Sequence, residues 1–305
     1  MKEIKNILLA TDFSELSGNA QSTAIAMCKR QKAVLHLLHI MENRPVSSKK
    51  VPEPDIKGKP KLPAEAAADQ LARVESDIRE KEGIEVVSYL ESGIPEDLIR
   101  EKAESLNCDL IVMGTRGASN FREFFNGSKA CNVIKHTTIP VLTIPGKKKI
   151  NDFKKILFPI RVTRGILAKY HFIEPIIDKN HSELYIAGLS LPGGEYNLGP
   201  EDENILELGR SLRTRNTKFN SEFFVCRNYA KKVLDLAKKE KVDLIVINAS
   251  LDYKWRQFFL GPYTQQVVDH SGVPVLSIRD PKPKINFAET VKGEIRNAYQ
   301  DSMAY

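Results

Sequence analysis

The sequence predicts an α/β protein made of two tandem domains, each a five-stranded parallel sheet with helices on both faces. The chain has 305 residues, the length of about two domains at roughly 150 residues each. Short apolar runs alternate with helical segments, a pattern typical of right-handed βαβ crossovers and parallel sheets. The second half also repeats the first, so the two domains are predicted to be copies of one unit.

The repeat is visible in segments that align without a gap. FREFFNGSKACNVIKHTTIPVL begins at Phe121, and WRQFFLGPYTQQVVDHSGVPVL begins at Trp255. Near the start of each half, KNILLATDFS matches KKILFPIRVT, and the first half carries a Pro-rich insertion. We expect a first domain at residues 1–146, a second at 153–280 and a tail at 281–305 with apolar residues at helical spacing.

The elements of the first half follow from hydrophobic periodicity and turn residues. Strands are predicted at residues 7–10, 34–40, 85–90, 110–113 and 141–144. The first helix is predicted to follow Ser14 as its cap, and Gly83 to end the second. Helices two to four are predicted at residues 64–82, 95–106 and 128–136. A doubly wound domain of this kind binds its ligand at the carboxyl ends of the strands.

The composition, 42% hydrophobic and 28% charged, is that of an ordinary globular chain. It excludes a disordered polymer, a collagen-like fibre and a disulfide-dense secreted module. No apolar run approaches the roughly 18 residues that a membrane span needs, and the N-terminus is interpreted as a strand rather than a signal peptide. Four scattered cysteines without a CxxC pair fit reduced thiols. We therefore expect a cytoplasmic protein with no membrane partner.

The net charge of +7 raises the question of a nucleic-acid partner. Much of the excess lies in residues 49–61 and 147–155, which are loop-like. Apart from the single Phe153 they contain no aromatic residues, so they lack the interleaved aromatics that stack on bases. We interpret the first stretch as a basic insertion and the second as a solvated basic linker. No nucleic-acid partner is expected.

A glycine-rich pattern follows the fourth strand of the first half. Gly114 and Gly117 come first, and after nine residues Gly127 and Ser128 open a helix. Glycine allows close backbone approach, and the N–H groups of a helix N-terminus favour anions, so the pattern suits a phosphate site. It is neither a Walker A loop nor GxGxxG. That these glycines only serve turns is an equally open interpretation.

The pattern G-x2-G-x9-G-[ST] resembles the ATP-binding branch of the universal stress proteins. So do ILLATDFS with Asp12, LLHI at residues 37–40 and the closing segment IPVLTIP. The resemblance covers both halves and implies two flavodoxin-like or Rossmann-like domains in tandem, with ATP and Mg²⁺ as cofactor. It also implies an internal pseudo-dimer in which residues 141–144 pair with residues 275–278, so that exposed strand edges are satisfied.

The resemblance assigns Asp12 to the adenine and ribose edge and the Ile40 backbone to the adenine. A carboxylate at the carboxyl end of a strand can accept hydrogen bonds from ribose hydroxyls. The alternative for Asp12 is a capping role at the following helix, beside Ser14.

The remaining assignments concern the ribose and the phosphates. The resemblance places Gly114 and Gly117 along both groups. It places Gly127, Ser128 and the backbone of Lys129 at the phosphates, with a divalent ion nearby. No side chain is assigned as a metal ligand or as a catalytic group.

The second half has lost these residues, which predicts one nucleotide per chain, bound in the N-terminal half. The corresponding positions hold Arg161, Asn248, Leu251, Gly261 and Pro262. Leu251 puts a side chain where backbone must approach phosphate, and Pro262 removes a hydroxyl and an N–H donor. The alternative is that Arg161 and Arg164 bind a different anion.

The histidines do not predict a metal site. His36 and His39 lie three residues apart on a strand and are expected on opposite faces of the sheet. His136 and His270 occupy equivalent helix C-termini, where an imidazole meets the last carbonyl groups. We interpret both as structural.

These features predict a stress-response protein that binds ATP or another adenine nucleotide and acts as a nucleotide-linked regulator of an unidentified protein partner. The alternatives are a scaffold that binds no nucleotide and a slow ATP hydrolase. An adenylyl-transferring enzyme is a further alternative, but it would need a Gly-rich loop after the first strand. Any enzymatic activity is expected to be weak ATP hydrolysis at most, and a homodimer stays open.

Overall fold

The computed structural model describes residues 3–42, 63–115, 129–146, 150–161, 166–193, 203–249, 251–252, 259–260 and 262–279. The first half contains β1 (Asn6–Thr11), α1 (Glu15–Gln31), β2 (Val34–Met41), α2 (Pro63–Glu82), β3 (Val86–Ser92), α3 (Pro95–Ser105), β4 (Leu110–Thr115), α4 (Lys129–His136) and β5 (Val141–Pro145).

The second half follows the same order. It contains β6 (Lys155–Arg161), α5 (Ile166–Asn180), β7 (Glu183–Ser190), α6 (Glu203–Thr214), β8 (Phe219–Val225), α7 (Tyr229–Lys239), β9 (Leu244–Asn248), β10 (Leu251–Asp252), β11 (Phe259–Leu260), α8 (Pro262–His270) and β12 (Val275–Ile278). The two-residue strands β10 and β11, which the sequence does not predict, pair with each other.

The ten longer strands form one sheet in the order β3-β2-β1-β4-β5-β12-β9-β6-β7-β8. Each half contributes five parallel strands, and the halves meet where β5 and β12 pair antiparallel. Leu142 lies opposite Leu276 at this seam. The predicted fold class and the predicted pairing of the two last strands are therefore both present. The domain boundaries at residues 146 and 153 stay a prediction.

Alternate residues of each strand pack into two hydrophobic cores, one on each face of the sheet. In β1, Ile7 and Leu9 pack on one face and Leu8 packs on the other. The first face is covered by α1, α2, α5 and α6, and the second by α3, α4, α7 and α8. Because both faces are covered, the central strands are mostly apolar, with Thr143 in β5 and Ser277 in β12 as buried polar residues.

The helix ends match their sequence signals. The Ser14 hydroxyl accepts a hydrogen bond from the Ser17 N–H and caps α1. Gly83 follows α2 with a φ of 64°, a left-handed conformation that favours glycine. Pro95 occupies the first turn of α3, where a missing N–H is tolerated.

The described residues of the segment between the halves form hydrogen bonds and an ion pair with α1. The Asn19 side chain donates to the Gly146 carbonyl oxygen at 2.9 Å, and the Thr23 hydroxyl donates to that of Ile150 at 2.7 Å. Arg30 pairs with Asp152. The prediction of a simply solvated linker is wrong for these residues, because polar side chains of α1 satisfy linker carbonyl groups.

Candidate functional site

The register of β1, β2 and β4 brings three predicted site residues to one edge of the sheet. Thr11, the last residue of β1, lies beside His39 of β2. Ala10 pairs with Met113, so Gly114 lies on the other side of Thr11. Asp12 directly follows β1, and Ile40 lies one residue beyond His39. Gly117, Gly127 and Ser128 lie outside the described residues.

At this edge, the helices that follow neighbouring strands cover opposite faces of the sheet. The helix after β1 covers one face of the sheet, and the helix after β4 covers the other. Such a divergence opens a crevice at the carboxyl ends of the strands, the usual ligand site of doubly wound sheets. We define the crevice by Asp12, Ile40, Gly114 and Lys129, the first residue of α4.

Asp12 organises the turn between β1 and α1. Its Oδ1 accepts hydrogen bonds from the Ser14 N–H at 3.1 Å and from the Ser14 hydroxyl at 2.6 Å. Partial burial raises the pKa of the Asp12 carboxyl, but the hydrogen bonds from Ser14 outweigh it and hold the pKa below its usual value. Asp12 is therefore ionised at neutral pH. It supports the capping residue, and its carboxylate remains exposed at the crevice.

Phe13 and His39 form an aromatic wall next to Asp12. Their ring centroids are 4.3 Å apart with an angle of 31° between the planes. His39 Nδ1 lies 2.9 Å from the Thr11 carbonyl oxygen, and Phe13 has a φ of 59°. The sequence does not predict this wall, because a left-handed conformation at a bulky residue has no local signal.

His36 lies on the opposite face, as predicted. Its Nδ1 lies 3.3 Å from the Tyr89 hydroxyl and its Nε2 lies 3.1 Å from Asn6 Oδ1. Within the described part of the chain, no group of three or more His, Cys, Asp or Glu residues is placed to hold a metal ion.

Gly114 is explained by packing without reference to a ligand. A Cβ atom at this position would lie 2.8 Å from the Leu16 carbonyl oxygen in the first turn of α1, closer than a carbon atom tolerates. The glycine therefore lets α1 pack tightly on β4. This supports the structural interpretation of Gly114 and leaves its role toward a ligand as a prediction.

Lys129 is joined to Glu42 by an ion pair. Glu42 directly follows β2, and Lys129 begins α4, which is the helix that follows β4. Sequence analysis misses Glu42 because its partner is set by strand order rather than by local sequence.

The crevice of the second half is filled by its own side chains. Arg161, which aligns with Asp12, places its guanidinium over the rings of Tyr263 and Tyr229, at 4.1 and 5.7 Å from their centroids. Tyr263 aligns with Lys129. A guanidinium stacked on aromatic faces is a stable contact in itself. The first half thus has an anion, Asp12, and a cation, Lys129, at the positions where the second half has Arg161 stacked on Tyr263.

Asn248 replaces Gly114 in the second half and is 8% exposed. Its Oδ1 is buried without a hydrogen-bond partner among the described residues.

Two buried cysteines do not have the character of nucleophiles. Burial raises the pKa of the Cys28 thiol to about 12. Burial and the neighbouring Asp109 carboxylate together raise the pKa of Cys108 to about 12. A thiol that is protonated at neutral pH reacts slowly.

Among the described residues, no helix combines the length and the apolar character required for crossing a membrane.

Comparison with known proteins gives consistent matches. A family model described as the Universal stress protein family matches residues 3–145 and 216–279. A putative universal stress protein of Staphylococcus aureus (strain USA300) is 30% identical over 151 residues, which are 49% of this chain and 89% of that protein. The matched relative therefore corresponds in length to one half of the present chain.

Solved structures match the fold. A universal stress protein from Archaeoglobus fulgidus DSM 4304 covers 91% of this chain and 99% of its own, with a TM-score of 0.72 and 20% identity. A universal stress protein solved in complex with cAMP covers 48% of this chain and 100% of its own, with a TM-score of 0.37 and 19% identity. The first match extends over both halves.

Proposed function

Since the chain belongs to the universal stress protein family, we propose that its N-terminal domain binds one adenine nucleotide, ATP with Mg²⁺, in the crevice. The observation that carries the proposal is the convergence of Asp12, Ile40 and Gly114 at one edge of the sheet. Lys129, at the start of α4, pairs with Glu42, which follows β2 at the same edge. Gly117, Gly127 and Ser128 are proposed to complete the phosphate side.

The chemistry of the described residues suits the two ends of such a ligand. An ionised Asp12 accepts hydrogen bonds from ribose hydroxyls, and the rings of Phe13 and His39 offer an aromatic surface beside it. At the other end, the N-terminus of α4 and the Lys129 ammonium favour phosphate oxygens.

We propose that the second domain does not bind this nucleotide. Arg161 is held on Tyr263 and Tyr229, so its cation is engaged by the protein itself. Pro262 at the start of α8 offers no N–H donor. The stoichiometry is then one nucleotide per chain.

We further propose that the protein is a cytoplasmic regulator whose state is read by a protein partner. A ligand that binds only the folded state stabilises it by about 2.7 kcal/mol when present at a hundred times its dissociation constant. Nucleotide occupancy would thereby set the stability of the N-terminal domain and the surface around the crevice.

Mass spectrometry of the nucleotide released by denaturing the purified protein tests the proposal. We expect an adenine nucleotide at one per chain and a higher melting temperature in millimolar Mg-ATP. Gly117→Leu, which copies Leu251 of the second half, should abolish both, whereas Arg161→Ala should leave the stoichiometry unchanged. No released nucleotide, together with no thermal shift, would refute nucleotide binding.

A further inference from the structure

The Glu42–Lys129 ion pair joins two elements that are distant in sequence. Glu42 directly follows β2, and Lys129 lies in the first described turn of α4, the helix that follows β4. In the sheet, β1 lies between β2 and β4. The pair therefore links elements that follow the two strands on either side of β1, the strand that ends next to Asp12.

Lys129 lies where a counter-charge is favourable. The N-terminus of a helix carries a partial positive charge, which disfavours a cation there. The first described turn of α4 contains no acidic residue, and the anion that pairs with Lys129 comes from Glu42, after β2. The Lys129 side chain is 56% exposed and that of Glu42 is 26% exposed, so the pair can open without disturbing the core.

We propose that Lys129 determines specificity for the length of the phosphate chain, and that Glu42 is its competitor in the empty crevice. This inference rests on the proposed function. When a nucleotide binds, Lys129 exchanges the Glu42 carboxylate for phosphate oxygens. An ammonium group recognises phosphate as a point charge, so it gains more from a triphosphate than from a monophosphate.

The second half offers an internal contrast. Tyr263 takes the place of Lys129, and it carries the Arg161 guanidinium on its ring. A neutral ring cannot exchange one anion for another, and Arg161 stands at the position that aligns with Asp12. Of the two equivalent positions, Lys129 alone has an exchangeable counter-ion.

Calorimetric titration with Mg-ATP and with AMP tests the inference. For Lys129→Met we expect ATP affinity to fall about tenfold, the size of one lost charge-assisted hydrogen bond, with less than about twofold change for AMP. For Glu42→Gln we expect ATP affinity to rise about two- to fivefold, as for loss of an exposed ion pair. That gain should shrink in the Lys129→Met background, because the Glu42–Lys129 pair is already absent there.

Lys29 and Glu82 provide the matched control. They form an exposed ion pair of 2.6 Å between the last turn of α1 and the end of α2, away from the crevice. Lys29→Met and Glu82→Gln change the net charge in the same way. We expect neither to alter ATP or AMP affinity by more than about twofold.

The outcomes separate the two proposals. If the wild-type protein binds neither ATP nor AMP, the proposed function fails and the inference fails with it. If it binds ATP but Lys129→Met weakens ATP and AMP equally, or behaves like Lys29→Met, only the inference is wrong. If Glu42→Gln raises ATP affinity equally with and without Lys129, the gain comes from removing the repulsion between Glu42 and the phosphates. That result would also overturn the inference. Retained AMP binding shows that a variant is folded.

Discussion

Thr143 and Ser277 occupy equivalent positions on the two strands of the seam, yet only Thr143 makes a hydrogen bond across it. The Thr143 hydroxyl donates to the Val275 carbonyl oxygen at 3.2 Å. The Ser277 hydroxyl, opposite Val141, is buried without a partner among the described residues. The repeat is thus symmetric in backbone pairing and asymmetric in side-chain bonding.

This asymmetry predicts opposite effects of two small substitutions on stability. Thr143→Val removes a made hydrogen bond and should lower the free energy of unfolding by about 1 kcal/mol. Ser277→Ala removes a buried hydroxyl that has no partner, so stability should be unchanged or rise. Urea denaturation measures both. A larger loss for Ser277→Ala than for Thr143→Val would contradict the assignment.

The close approach of α1 to Gly114 predicts a strong effect of one methyl group. Gly114→Ala should lower the free energy of unfolding by about 1–3 kcal/mol, because the new Cβ meets backbone that cannot move aside. Gly18→Ala is the control. It lies within α1 with no atom near its added Cβ, and should stabilise by about 0.5–1 kcal/mol. Thermal melts without nucleotide compare the two, and equal effects would argue against the packing explanation.

The burial of His36 predicts a pH dependence of stability. Burial lowers the pKa of His36 from the ordinary 6.5, against a smaller opposite effect of Glu85. The unfolded state then binds the proton more readily, so stability is complete above pH 6.5 and declines as the pH falls toward the lower, folded-state pKa. His36→Gln should flatten this part of the profile. The exposed His136→Gln should leave it intact, and a profile that His36→Gln does not change would exclude His36 as its source.

The two roles of Asp12 can be separated by two substitutions. Asn keeps the Oδ1 acceptor for Ser14, so Asp12→Asn should leave stability nearly unchanged while weakening nucleotide binding through loss of the charge. Asp12→Ala loses the turn bonds as well and should also destabilise α1, by about 1 kcal/mol. Melting temperature without nucleotide and ATP affinity are the readouts. Unaltered ATP affinity in both variants would restrict Asp12 to the turn.

Much of the fold follows from local sequence pattern. The predicted and observed bounds of a strand differ where pairing with a neighbouring strand extends it. The predicted fourth strand ends at residue 113, but β4 continues through Gly114 and Thr115 because they pair with Ile144 and Pro145 of β5. The seam itself is implied by the resemblance to the universal stress proteins. A local pattern does not predict it, because the two paired strands lie far apart in the sequence.

Some residues of the candidate site likewise follow from the local sequence, and others do not. Asp12 and Ile40 are placed by the ends of their own strands, so their position at the edge follows from the sequence. Glu42 and Phe13 do not follow, because one depends on which strands are neighbours and the other on an unusual backbone conformation. Gly117, Gly127 and Ser128, which come from the motif, lie outside the described residues and stay a prediction.

Because β5 and β12 pair antiparallel, the carboxyl ends of the strands in the two halves lie at opposite edges of the sheet. The five strands that each half contributes to the large sheet run the same way, and those of the two halves run in opposite directions. The carboxyl edge with Asp12 and Lys129 and the equivalent edge with Arg161 therefore lie at opposite poles of one continuous sheet. A protein docked on the Arg161 pole would leave the entrance at the other pole open, so partner docking and nucleotide exchange need not compete for the same surface.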